Sequence, residues 1–184
     1  MSAWREQILD TANLKTSKLA SLNSLTADEV QTELLKCCGS RLWAERMIAE
    51  RPLKSLDDLA EKADRVWWAL EPHDWLEAFH SHPKIGEKKA AAVTSEQSKT
   101  WSAAEQAGIA NSAEQTLQAL ADLNKKYEDK FGYIFIVCAS GKSSEEMLAM
   151  LRSRLENEPE EELRIAAAEQ AKITELRLGK LVTD

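Results

Sequence analysis

The chain has 184 residues, of which 43% are hydrophobic, enough to bury a core within one domain. Its formal net charge is -7, and Lys and Arg are interleaved with Asp and Glu, so nucleic acid is not an expected partner. The longest apolar run, Tyr133 to Ala139, is too short to cross a bilayer, and the first residues do not resemble a signal peptide. We therefore expect a soluble intracellular protein, without a membrane partner, in which residues 1–184 form a single domain.

The spacing of apolar residues is helical in most segments, and only six glycines and four prolines interrupt the chain. This pattern predicts an all-α fold, a single multihelical domain. Thr26 and Glu29 form a capping-box pattern at the start of a helix that ends before Gly39. A short helix through Trp43 follows.

The central helices are bounded by prolines. After the break at Pro52, Ser55 is positioned to cap the next helix. The amphipathic segment around Trp75 must end near His82, because Pro83 disfavours the α conformation in the residue before it. His82 is therefore predicted to lie at a helix end.

The second half of the chain begins with a polar segment, Thr94 to Thr116, which precedes a helical stripe that ends at Gly132. Tyr133 to Ala139 is the one run with strand-like composition, and we expect it to be extended and buried. Helices are predicted to begin at Ser143 and at Pro159.

The histidines and cysteines are the first candidates for chemistry. His80 and His82 are two residues apart, but no Cys or carboxylate stands at a familiar metal spacing nearby, so we predict no metal site. His82 alone is a candidate for proton transfer near neutral pH, although a structural histidine is the other interpretation. The cysteines have no metal-finger or disulfide spacing, and we expect three buried, reduced thiols: Cys37, Cys38 and Cys138.

Two further groups of polar residues have alternative interpretations. Ser102, Glu105 and Gln106 share one face if their segment is helical, so they can bind one ligand together. The same Ser-x-x-Glu spacing is also a capping box. Arg177 lies on the apolar face of the last helix, where a guanidinium needs an acidic partner or an anionic ligand. A structural ion pair and a substrate clamp both remain open.

Short blocks occur in a specific order over about residues 20–178, and they are Leu22-Asn23-Ser24-Leu25, Cys38-Gly39-Ser40-Arg41-Leu42-Trp43, Arg51-Pro52-Leu53, His82-Pro83-Lys84-Ile85-Gly86, Ser102-Ala103-Ala104-Glu105-Gln106-Ala107-Gly108, Leu123-Asn124 with Tyr127, Phe131-Gly132-Tyr133-Ile134-Phe135, and Lys172-Ile173 with Leu176-Arg177-Leu178. Together they resemble the 2-oxo-4-hydroxy-4-carboxy-5-ureidoimidazoline (OHCU) decarboxylase family, which makes S-allantoin late in urate degradation. Ile134 stands where the family often has proline, and Leu53 where it often has phenylalanine.

The resemblance implies an irregular array of helices, often dimeric, that needs no cofactor. It implies that His82 is the catalytic proton donor and that Glu105 and Arg177 complete the reacting site. The residues that it implies at the pocket wall or against the substrate are Pro83, Ser102, Gln106, Phe135, Ile136, Val137, Cys138 and Ala139. The substitution at Ile134 bears on the shape of this substrate-binding backbone.

The implied reaction is the decarboxylation of a small-molecule ureide, OHCU, to S-allantoin and CO2 by a homodimer. The substrate needs no cofactor because a ring C=N next to the reacting carbon serves as the electron sink. The alternatives are a non-catalytic helical paralogue that binds a ligand or protein, and a metal-dependent hydrolase that uses His80 and His82. The last residues are not a peroxisomal tripeptide, so a cytoplasmic location is expected.

Overall fold

A computed structural model describes residues 18–84, 95–107 and 114–183. Within these ranges the secondary structure is helical and includes no strand, which confirms the predicted all-α class. The helices are α1 (residues 18–24), α2 (Ala27–Cys37), α3 (Arg41–Ala49), α4 (Leu56–Trp68), α5 (Pro72–His80), α6 (Glu96–Glu105), α7 (Glu114–Phe131), α8 (Ser144–Arg154) and α9 (Pro159–Leu181).

Side-chain caps start several helices at the predicted positions. The Thr26 hydroxyl accepts a bond from the Glu29 N–H at 3.4 Å, and the Glu29 carboxylate accepts one from the Thr26 N–H at 2.9 Å. Ser143 and Glu146 form the same reciprocal pair at the start of α8, and Ser55 caps α4. These bonds satisfy N–H groups that the first helical turn leaves without a partner, which is why short-range spacing predicted them correctly.

Helix α6 begins earlier than the Ser-x-x-Glu pattern indicated. The Ser95 hydroxyl accepts a bond from the Ser98 N–H at 3.1 Å, so the helix starts at Glu96. Ser102 therefore lies near the end of the helix and does not cap its start. The capping-box interpretation of Ser102 and Glu105 is wrong, because a start signal seven residues earlier already provides the cap.

The described residues gather into two compact units. The first contains the described chain up to Leu70 together with the residues from Thr174 onward, and the second is Glu71–Ile173. The single domain that the sequence predicted stays a prediction. In the first unit α3 packs against α2 and α4, and the buried Trp43 indole donates a hydrogen bond to the Ala63 carbonyl at 3.2 Å.

The second unit is organised around an aromatic cluster on α7, which packs against α8. The ring of the fully buried Tyr127 lies 4.6 Å from that of Phe131 and 5.3 Å from that of Phe135, measured between centroids. Gly132 ends α7 with a left-handed φ of 79°, which glycine adopts without the steric cost of a Cβ. Residues 133–139 then run as neither helix nor strand, and all but one are buried, as predicted.

The last helix, α9, ends at Leu181 and buries the apolar face on which the sequence placed Arg177. The buried members of that face are Ala166, Ala167, Gln170, Ile173 and Arg177. All three cysteines are buried and form no disulfide, as predicted. Over the described ranges, no helix has both the length and the apolar character that crossing a membrane requires.

Candidate active site

A pocket in the second unit is formed by the end of α5, the last turn of α6, the 133–139 segment and α9. Its lining residues are His82, Pro83, Ser102, Glu105, Gln106, Phe135, Ile136, Val137, Ala139 and Ile173. All of them except Ile173 were predicted as site residues. Ile173 was named only within a family block and not as a site residue, because an apolar side chain carries no chemical signal of its own.

The end of α5 positions His82. The helix ends at His80, Ser81 follows as the C-cap, and the His82 N–H still donates to the Phe79 carbonyl at 3.1 Å. The imidazole Nε2 lies 2.7 Å from the Oε1 of Gln170, a side chain with no exposed surface. The ring is therefore attached to the protein interior on one edge while the residue also lines the pocket.

The last turn of α6 carries the polar wall of the pocket. Ser102 is buried, whereas Glu105 and Gln106 are partly exposed, and the Gln106 N–H donates to the Ser102 carbonyl at 3.1 Å. Spacings of three and four residues place these side chains on neighbouring positions of one helix face. The pocket thus combines an imidazole, a carboxylate, a hydroxyl and a carboxamide. Among the described residues, no three His, Cys, Asp or Glu side chains come together as a metal site would require.

The backbone of the 133–139 segment is held by charged side chains. The Arg154 guanidinium donates to the Ile136 carbonyl at 2.7 Å, and the Glu169 carboxylate accepts from the Cys138 N–H at 2.8 Å. Lys142 donates to the Cys138 carbonyl at 2.6 Å. Both backbone groups of Cys138, a predicted substrate contact, are therefore already bonded within the protein.

Arg154 belongs to a buried polar cluster. Its Nε donates to the Glu162 carboxylate at 2.7 Å, and both side chains are buried. The Tyr127 hydroxyl donates to the same carboxylate, and the Asn157 carboxamide donates to it at 2.7 Å. Burial raises the pKa of Tyr127, so this phenol stays protonated and remains a donor. The cluster satisfies a charge pair in the interior and presents one guanidinium N–H to the wall of the pocket.

Comparison with known proteins assigns the chain to a family. The family model described as OHCU decarboxylase matches residues 23–179, which include every residue lining the pocket. The chain belongs to the OHCU decarboxylase family. The resemblance inferred from the sequence blocks is thereby confirmed.

Relatives of this family member include two longer proteins. It is 42% identical over 149 residues to the uric acid degradation bifunctional protein TTL of Arabidopsis thaliana, covering 80% of this chain and 46% of that protein. It is 32% identical to the uric acid degradation bifunctional protein PucL of Bacillus subtilis (strain 168), covering 77% of this chain and 28% of that protein. The chain therefore spans less than half the length of these two relatives.

A solved structure is similar over almost its whole length. The crystal structure of OHCU decarboxylase in the presence of (S)-allantoin has a TM-score of 0.72 and 42% identity to this chain. The match covers 83% of this chain and 98% of that one. The helical fold of this chain is thus that of an OHCU decarboxylase.

One predicted catalytic residue of this family member falls in the first unit. Arg177 is buried on α9, with 4% of its surface exposed. Burial raises the pKa of the Cys37 thiol, and the positive charge of Arg177 opposes that rise. Arg177 therefore lies within electrostatic range of α2.

Three residues of the family blocks, Ile85, Gly86 and Gly108, lie outside the described residues.

Glu169, which holds the Cys138 N–H, supplies a pH-dependent contribution to stability. Burial raises the pKa of this carboxyl, but the hydrogen bonds from Lys172 and the Cys138 N–H, with the charges of Lys172 and Lys142, outweigh it, so the pKa is lowered from 4.5. A carboxyl whose pKa is lower in the folded state than in the unfolded state stabilises the fold at pH values above its unfolded pKa. This stabilisation is lost as the pH falls through the pKa of the folded state. We expect Glu169→Gln to lower the free energy of unfolding by about 1–2 kcal/mol at pH 7.

The measurement is urea unfolding of Glu169→Gln and wild type at pH 7 and at several values below 4.5. The difference between the two proteins should narrow as the pH falls. Glu175→Gln, at an exposed position of the same helix, is the control and should match wild type throughout. A difference that is constant across this pH range would contradict the assignment.

Proposed function

We propose that this pocket catalyses the cofactor-independent decarboxylation of OHCU to S-allantoin and CO2 in urate degradation. The observation that carries the proposal is that His82 and Glu105, on separate segments of a member of this family, line one pocket. The OHCU decarboxylase that is 42% identical to this chain was crystallised in the presence of (S)-allantoin, which supports a ureide as the ligand here. The substrate is thus a small anionic ureide.

The reaction requires a proton donor, a hydroxyl acceptor and an electron sink. The bond between the ring carbon and its carboxylate breaks, CO2 leaves, and the electron pair moves into the adjacent C=N of the substrate. This pair forms a C=C bond, and the C=N electrons pass to the ring nitrogen. His82 then protonates the former C=N carbon, which bears the ureido group, from one face, and this sets the handedness of the product. Glu105 accepts a hydrogen bond or proton from the hydroxyl on the carbon that lost CO2, so that this carbon becomes a carbonyl, and the hydroxyl proton balances the charge left on the ring nitrogen. General acid and base groups of this kind contribute about 10²- to 10⁴-fold to the rate.

The apolar wall has two roles in the proposal. Phe135 and Val137 limit the access of water to the reacting carbon, which strengthens the polar contacts inside the pocket. The Ile136 carbonyl and both backbone groups of Cys138 are bonded within the protein, so the proposal assigns polar contacts with the substrate to other backbone groups of the segment. Arg177 is proposed to orient the anionic substrate, a role that rests on the family block Leu176-Arg177-Leu178.

A coupled assay tests the proposed function. Upstream enzymes generate the unstable substrate in place, and circular dichroism records the chirality of the allantoin that forms. Spontaneous decay yields a racemate, so an excess of S-allantoin above the protein-free reaction is expected. A racemic product at the spontaneous rate would contradict the activity. Allantoin should also raise the melting temperature if the pocket binds ureides, whereas a scaffold with another partner shows no such shift.

The homodimer and the cytoplasmic location belong to the same proposal. The homodimer rests on the family resemblance, and light scattering behind a size-exclusion column tests it. Twice the mass of 20.6 kDa is the expected result for this chain. The location rests on the sequence expectation alone and stays a prediction.

A further inference from the structure

Gln170 is a polar side chain that lies buried on the apolar face of α9. Packing against apolar neighbours does not explain why a carboxamide occurs at this position. It has no exposed surface, and its neighbours on that face include Ala166 and Ala167, which are also fully buried. Burying a carboxamide costs free energy unless it makes hydrogen bonds. One of its bonds is to the pocket, since its Oε1 lies 2.7 Å from Nε2 of His82, 88 residues earlier in the chain.

We infer that Gln170 is a positioning residue that keeps a proton on Nε2 of His82 and thereby assigns proton transfer to Nδ1. The amide oxygen is only an acceptor, so in this arrangement Nε2 carries the hydrogen. While the contact lasts, Nε2 cannot serve a ligand as well. The role of Gln170 in catalysis rests on the proposed function, whereas the tautomer of the His82 imidazole does not depend on it.

The protonation states through the proposed step agree with this arrangement. Before the step the imidazolium carries a proton on each ring nitrogen, and Nε2–H donates to Gln170. The Nδ1 proton moves to the former C=N carbon of the substrate, which takes it with the electron pair of the C=C bond as the hydroxyl-bearing carbon becomes a carbonyl. The neutral ring that remains is the Nε2–H tautomer, which the oxygen of Gln170 stabilises. The contact therefore persists from reactant to product, and the ring keeps its orientation.

A neutral carboxamide suits this task better than a carboxylate would. A carboxylate beside the ring favours the charged imidazolium and so opposes release of the proton. The carboxamide orients the ring through one hydrogen bond without adding a full charge. Gln170 thus fixes orientation and tautomer, while the ring remains able to give up its proton.

Ring ¹⁵N resonances of the full-length protein test the inference without substrate. The chain has three histidines, so the loss of one set of signals in His82→Ala identifies those of His82. In wild type, neutral His82 should be the Nε2–H tautomer. Gln170→Leu, which removes the acceptor at similar size, should shift His82 toward a mixture of tautomers. Gln170→Glu keeps an acceptor oxygen and should retain the Nε2–H signature.

Kinetics of the same variants test the role in the reaction. Gln170→Leu should lower kcat about 10- to 100-fold with little change in KM, because misplacement of a catalytic group by 1 Å has effects of this size. A wild-type Nδ1–H tautomer would overturn the inference whether or not Gln170→Leu folds. So would an unchanged kcat in a folded Gln170→Leu whose tautomers have shifted. If wild type shows no decarboxylation but His82 is Nε2–H, only the proposed function fails.

Discussion

Replacing His82 by glutamine is expected to lower the rate of S-allantoin formation by about 10²- to 10⁴-fold, the usual contribution of a general acid or base. Glutamine fills similar space and can hydrogen-bond to Gln170, but it has no proton to transfer near neutral pH. Any product should then approach the racemate of the spontaneous reaction. The measurement is the coupled assay with circular dichroism, with urea unfolding to verify that the variant folds.

His80→Gln is the matched control for this prediction. His80 is exposed at the end of α5, and its Nδ1 lies 2.6 Å from the Leu76 carbonyl within the same helix. The same substitution two residues away should leave rate and handedness close to wild type. If His82→Gln retains an excess of S-allantoin at the wild-type rate, His82 is not the proton donor.

Removing Arg154 is expected to have the largest effect on stability. Arg154→Met leaves Glu162 as a buried charge without its cation, and it removes the donor to the Ile136 carbonyl. Breaking a buried ion pair from one side destabilises proteins by about 3–5 kcal/mol. Urea unfolding at pH 7 should show a loss of this size. Because the lost bond holds the wall of the pocket, the variant should also have a raised KM.

Two further variants distinguish this effect from a general loss of charge. Arg164→Met removes an exposed cation whose pairing with Glu160, at 3.3 Å, is also exposed, and it should match wild type in stability. Arg154→Met combined with Glu162→Met removes both charges and should recover part of the loss. If the two single arginine variants unfold at the same urea concentration, the buried pair does not have the proposed importance.

The helix boundaries were predictable where a short-range pattern has one interpretation. Thr26 with Glu29, and Ser143 with Glu146, both proved to be capping boxes. The error at Ser102 arose because the same residue types also occur late in a helix. Spacing alone cannot tell whether Ser95 or Ser102 starts the helix. At either position a serine hydroxyl can accept a hydrogen bond from the N–H three residues later and so act as an N-cap.

The three glutamates after Pro159 show a second limit of sequence reasoning. Glu160, Glu161 and Glu162 look equivalent as acidic residues in the first turn of α9, where they suit the helix dipole. In the fold, Glu162 has no exposed surface and pairs with Arg154, whereas its two neighbours are exposed. Their different roles depend on which side of α9 packs against α7 and α8. The residues of a single helical turn do not specify that side.

By itself, the sequence determined the all-α class, most helix starts, the buried face of α9 and the family to which the chain belongs. These features depend on residues within a few positions of one another or on the order of short blocks. Only the tertiary structure decided which of those residues share a pocket, and that Gln170 bonds His82 across 88 residues. The physical reason is that a hydrogen bond between distant segments depends on how helices pack, whereas a cap or an apolar stripe is specified within the helix itself.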